Sequence, residues 1–123
     1  MSGRDDAADG RQPRRPRLLF VCSRNAWRSP TGEDLYRRDD RVEVASAGTA
    51  ASARRRVDAE LIAWADVIFA METRHRDRLS ERFGARAETK TRVLDIPDDY
   101  RRGDPELTAW LRDEVEAWLA DQR

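Results

Sequence analysis

The stretch Arg17-Leu18-Leu19-Phe20-Val21-Cys22-Ser23-Arg24-Asn25-Ala26-Trp27-Arg28-Ser29-Pro30 changes character twice along its length. Leu18 to Val21 is a short apolar run of strand type. Cys22 to Trp27 opens with small and polar side chains and suits a tight loop. Arg28-Ser29-Pro30 reads as the opening of a helix, with Ser29 able to cap and Pro30 suited to the first turn. A strand that ends in a loop and feeds a helix N-terminus aims free backbone N–H groups and the helix dipole at that loop, which makes it an anion site. A thiol and a guanidinium stand at the two ends of the loop, Cys22 and Arg28. Thiols attack as thiolates, which a helix N-terminus and a neighbouring cation both favour. A guanidinium holds two oxyanion oxygens at once. The pattern therefore reads as a phosphate cradle with a nucleophile at its floor. The plainer alternative is a buried cysteine that only packs at a strand end.

The segment Val21 to Pro30 resembles the signature of the low-molecular-weight protein tyrosine phosphatases, V-C-x-G-N-x-C-R-S-P. It matches at Val21, Cys22, Asn25, Arg28, Ser29 and Pro30. Arg24 stands where the family usually has glycine, and Trp27 where many members have a second cysteine. The resemblance extends over most of residues 17–121. It implies a cysteine-dependent phosphomonoester hydrolase, most simply a protein tyrosine phosphatase acting through a cysteinyl phosphate. In that scheme Cys22 attacks phosphorus, and Arg28 with the loop Ser23, Arg24, Asn25, Ala26 and Trp27 holds the phosphate oxygens. Ser29 hydrogen-bonds the sulfur, and Asn25 fixes the loop, being a residue that tolerates left-handed backbone. The family holds this asparagine with a histidine from a long insert, which is absent here.

The rest of the chain follows the same pattern. Val42-Glu43-Val44-Ala45 alternates and reads as a second strand, closed by a small-residue turn at Ser46-Ala47-Gly48-Thr49 that resembles the family's S-A-G-T segment. Residues 50–56 read as a loop, shorter than the family's insert by roughly two dozen residues. Asp58 caps a helix running to Ala65, and Asp66 to Met71 is continuously apolar after its first residue, as a central parallel strand should be. Residues 73–83 form a helix with Leu79 and Phe83 as its apolar pair, stopped by Gly84; His75 in it, between Arg74 and Arg76, reads as a surface residue. Arg92 to Ile96 is a fourth strand. A final helix starts at Asp104 with Pro105 in its first turn, and Leu107, Trp110, Leu111, Val115, Trp118 and Leu119 recur at helical spacing. Strand and helix alternate, so the fold class is α/β: a four-stranded parallel sheet with helices on both faces. The family implies strand order 2-1-3-4, with the cysteine loop at the switch point where open sheets bind ligands.

Expulsion of an alkoxide or phenoxide needs a proton, hence a general acid. Ile96-Pro97-Asp98-Asp99-Tyr100 resembles the family's acid loop, with Asp98 as the acid, Asp99 in place of a proline and Tyr100 flanking the substrate. Asp99 is the alternative acid.

The chain has 123 residues, enough for one domain. Residues 1–16 carry almost no large apolar side chains and read as a disordered arm before a domain spanning 17–123. Acidic and basic residues balance at 24 each, which gives no argument for nucleic-acid or membrane partners. The partners expected are a phosphotyrosine protein or a small phosphoester, with phosphate or another oxyanion in the loop. No metal or cofactor is called for. Cys22 is the single cysteine. That fits a cytoplasmic protein, and it argues against an arsenate-reductase-like cycle, which draws on further cysteines. A phosphate-binding regulatory protein with weak catalysis is the reading from another class.

Overall fold

The structure, a computed structural model, describes residues 14–122. The expected arm lies mostly outside the described residues. Its last part is anchored: Arg14 donates to both Asp66 carboxylate oxygens at 2.7 and 3.0 Å, and Pro16 C=O accepts from Glu43 N–H.

Among the described residues nine elements follow in order: β1 (Arg17–Cys22), α1 (Arg28–Tyr36), β2 (Glu43–Gly48), α2 (Ala59–Trp64), β3 (Val67–Ala70), α3 (Thr73–Phe83), α4 (Ala85–Glu88), β4 (Thr91–Val93) and α5 (Pro105–Asp121). The four strands pair in parallel in the order β2-β1-β3-β4. Successive residues of a strand face opposite sides of the sheet, and β1 feeds two cores. Leu18, Phe20 and Cys22 join the core under α1 and α5, with Tyr36, Leu107, Leu111, Val115 and Trp118. Leu19 and Val21 join the core on the other face, with Leu61, Ile62 and Leu79 of α2 and α3. This two-sided burial is why β1 and β3 read as unbroken apolar runs. A ring as fully buried as Phe20 contributes on the order of 2–3 kcal/mol.

Close packing sets α1 against β1. A Cβ on Gly32 would lie 2.6 Å from the Phe20 ring, so only glycine allows this approach. The Cys22 thiol therefore points into the α1–α5 side, at the C-terminal edge of the sheet and beside the α1 N-terminus.

Several local expectations are corrected. Ser46-Ala47-Gly48 is not a turn but the second half of β2, paired residue for residue with Phe20-Val21-Cys22. Small side chains are needed there because the cysteine loop packs against the strand. Ser29 is not a helix cap: the cap position is Trp27, with no side-chain hydrogen bond, and the Ser29 hydroxyl is used elsewhere. β4 is shorter than residues 92–96. Asp95 takes a left-handed backbone, φ 58°, which interrupts the ladder, although Leu94 and Ile96 still donate to Ala70 and Met71 of the β3 side. Gly84 does stop α3, but an extra short helix, α4, follows it directly. The Asp58 and Asp104 caps form as the sequence indicates, each side chain accepting from backbone N–H groups of the first turn.

Candidate active site

The loop from Cys22 to Arg28 is held by a buried network around one hydroxyl. Ser29 Oγ lies 2.9 Å from Cys22 Sγ and accepts from Asn25 Nδ2 at 2.9 Å. The same Nδ2 donates to Ser46 Oγ at 2.9 Å, and Ser46 in turn bonds Glu33. Asn25 is 2% exposed and takes φ 56°. It supplies the left-handed turn of the loop, and both its amide protons have acceptors. The Ser29 hydroxyl accepts from Asn25 with one of its two lone pairs, and its one proton is within reach of the sulfur or, at 3.3 Å, of the Ala47 carbonyl. Sequence reasoning missed Ser46 as the partner of Asn25.

The loop is also laced to residues 48–54 by main chain. Thr49, Ala50 and Arg54 N–H groups donate to the Cys22, Ser23 and Arg24 carbonyls at 3.0, 2.9 and 3.0 Å. The Arg54 guanidinium adds a bond to Asn25 C=O at 3.1 Å. A Cβ on Gly48 would sit 2.5 Å from Ser23 O, so this lacing requires a glycine.

Arg28 is 2% exposed yet keeps its charge compensated. Nη1 donates to Glu72 Oε1 and to Ile96 O, both at 2.8 Å. Burial pushes the Glu72 carboxyl up, but bonds and charges from Arg28 and Arg74 together outweigh this and hold it below its ordinary value. Two hydrogen bonds on Nη1 fix the guanidinium plane.

His75 corrects a further expectation: it is 1% exposed, not a surface residue. Its Nδ1 accepts from Glu72 N–H at 3.0 Å, and that bond places the ring proton on Nε2, which donates to Ser23 Oγ at 2.9 Å. Burial, reinforced by the charges of Arg28 and Arg74, pushes the imidazole down to about 4, so it is neutral near pH 7. Neither Glu72 nor His75 was identified as a support of the loop from sequence. The helical neighbourhood of His75 is charged, and only the third dimension turns it inward.

A cleft of about 400 Å³ opens over the thiol, lined by Cys22, Ser23, Arg24, Ala26, Trp27, Arg28 and Asp98. Asp98 is the exposed carboxylate of its rim, with Oδ1 3.6 Å from Arg28 Nε. Its loop is fixed at the far end: Gly103 N–H donates to Thr31 Oγ1, and Arg102 grips Asp34 with two bonds at 2.8 and 2.9 Å. Asp99 does not line the cleft. Nor does Tyr100, which is half-buried against the α1–α5 core. The aromatic surface of the cleft is Trp27, 47% exposed.

No protein-family model matches the sequence, and no curated protein matches it. Solved structures do. The YwlE arginine phosphatase of Geobacillus stearothermophilus superposes with a TM-score of 0.70 at 28% identity, over 87% of this chain and 95% of that one. A low-molecular-weight protein tyrosine phosphatase of Streptococcus pyogenes gives 0.73 at 17% identity, over 88% and 93%. The tyrosine phosphatase Wzb of Escherichia coli, solved with phosphate, gives 0.69 at 24% identity, over 88% and 99%. The chain shares the fold of the low-molecular-weight protein tyrosine phosphatases. Its departures from that family's signature are accommodated physically. Asn25, not Arg24, occupies the left-handed position, so glycine is not needed at 24. In this chain the short 49–54 connection and Ser46 brace the loop.

Proposed function

We propose that the protein is a cysteine-dependent protein phosphatase acting on phosphotyrosine, in the cytoplasm, where its single thiol stays reduced. The observation that carries the reading is the convergence of the Cys22 thiol, the fixed Arg28 and the exposed Asp98 on one cleft. Trp27 on that cleft favours an aryl phosphate, because an indole offers a face on which a phenyl ring can pack.

In the first step Cys22 Sγ attacks phosphorus in line, forming an S–P bond as the P–O bond to the leaving group breaks. Arg28 Nε and the free loop N–H groups hold the equatorial oxygens as charge builds on them. Asp98 gives its proton to the leaving oxygen. In the second step Asp98, now a carboxylate, takes a proton from water. The resulting hydroxide attacks phosphorus, the S–P bond breaks, and phosphate leaves. The Ser29 hydroxyl stabilises the departing thiolate. Ser23, Arg24, Asn25 and Ala26 form the wall of the cradle, with Asn25 acting through loop shape.

A second reading concerns the substrate. The neighbour at 28% identity is an arginine phosphatase, and a phosphoguanidinium presents the same oxyanion to the cradle. Turnover of p-nitrophenyl phosphate in EDTA tests the chemistry. Cys22→Ser is expected to abolish it, by at least about 10⁴-fold, and Arg28→Ala to cost about 10²–10³-fold. Robust turnover by Cys22→Ser would sink the reading. Paired peptides bearing phosphotyrosine or phosphoarginine then decide the substrate.

A further inference from the structure

Beside the Cys22 cleft lies a second one, of about 460 Å³, between the start of α3 and residues 49–52. Its lining is Ser23, Arg24, Thr49, Ala50, Ser52, Arg74, His75 and Arg78. Ser23 and Arg24 line both clefts, so one wall separates them. Arg24, Arg74 and Arg78 are all exposed. Among the described residues the one carboxylate that meets any of them is Glu72, on Arg74, and its Oε1 is already shared with Arg28. Among the described residues neither Arg24 nor Arg78 is in a salt bridge. Arg74 and Arg78 stand four apart on α3, a spacing that puts like charges on one face and disfavours the isolated helix. His75 between them is neutral and spends its proton on Ser23, so the charge of the hollow comes from the arginines alone. The result is a cationic hollow with hydroxyl-bearing walls, abutting the cradle proposed to take the scissile phosphate.

We propose that this hollow is a second oxyanion subsite, which binds an acidic group next to the scissile residue on the same peptide. The group is a carboxylate or a second phosphate. The proposal rests on the phosphatase reading above and names the class of substrate: phosphopeptides with acidic or doubly phosphorylated sequence. Guanidinium groups suit it because they pair bidentately with either oxyanion. Partial exposure makes the gain modest and salt-sensitive.

Three phosphotyrosine peptides test it, identical except for alanine, glutamate or phosphoserine flanks. Wild type is expected to show kcat/KM about five- to tenfold higher on the two acidic peptides at low ionic strength. Arg78→Gln should bring the three together, and Arg78→Glu should reverse the order. The glutamate and phosphoserine arms tell a carboxylate site from a phosphate site. Equal kcat/KM in wild type, or an acidic preference that survives Arg78→Gln, overturns the proposal. Calorimetric binding of the same peptides to the Cys22→Ser protein reads the subsite without turnover. If wild type hydrolyses neither peptide nor p-nitrophenyl phosphate, the phosphatase reading falls, while the binding order still decides the subsite.

Discussion

The floor and the rim of the catalytic cleft are built on opposite principles. At the floor, Cys22, Asn25, Arg28 and Ser29 are 4% exposed or less, and each of these side chains has a polar partner at 2.8–2.9 Å. At the rim, Arg24, Trp27 and Asp98 are exposed, and Asp98 has one long ion pair at 3.6 Å. A buried polar group without a partner is costly, so the floor must be completed before the chain is stable. The rim has no such obligation, and its side chains are free to meet a substrate. Reaction geometry is thus a by-product of folding, whereas substrate choice resides where folding makes few demands.

Removing the proposed acid at the rim should separate the two most sharply. Asp98→Asn is expected to lower kcat by about 10²–10⁴-fold with a leaving group of high pKa. Its denaturation midpoint should stay within about 0.5 kcal/mol of wild type, as for other exposed sites. Asp99→Asn should do little; if it is the damaging change, the acid is Asp99.

The complementary break comes from beneath the floor. His75 is held at about 4, below its ordinary 6.5, so the unfolded chain binds the proton first as pH falls. Stability from the neutral ring is complete above pH 6.5 and drains away between 6.5 and 4. The loss reaches on the order of 3 kcal/mol. Denaturant titrations at intervals across that window should show the slope in wild type and a flatter profile in His75→Gln. The carboxylates held low by arginines, such as Asp34 and Asp66, lose their contribution only below about pH 4. They do not account for a slope above pH 5.

The mildest expected effect is at the rim again. Trp27→Ala should raise KM for aryl phosphates about three- to tenfold, with kcat for the bound substrate little altered, as loss of one stacking face implies. Steady-state kinetics on p-nitrophenyl phosphate against a small alkyl phosphate would register this: both substrates affected alike would mean the indole packs on no ring.

Much of this was legible in the chain, for reasons that differ by residue. That Cys22, Arg28 and Asp98 would meet at one cleft could be expected, because they lie in short segments whose neighbours dictate strand, loop or helix start. The sheet order was implied by the resemblance, and the alternation of elements supports it. Ser46 and His75 could not be read, because their roles depend on contacts 21 and 52 residues away. Ser46 looked like a turn former, since small residues serve turns and close strand packing alike. Tyr100, expected beside the substrate, packs against the α1–α5 core, and the aromatic residue lining the cleft is Trp27, which interrupts the family signature.

The lacing of the cysteine loop to residues 49–54 has an evolutionary consequence. Its three main bonds run from backbone to backbone, so they do not depend on which side chains residues 49–54 carry, provided Gly48 keeps its approach open. Such a clamp survives drift in sequence, and a connection of different length can supply it. The side chains of this connection are therefore open to change while the shape of the loop between Cys22 and Arg28 is kept.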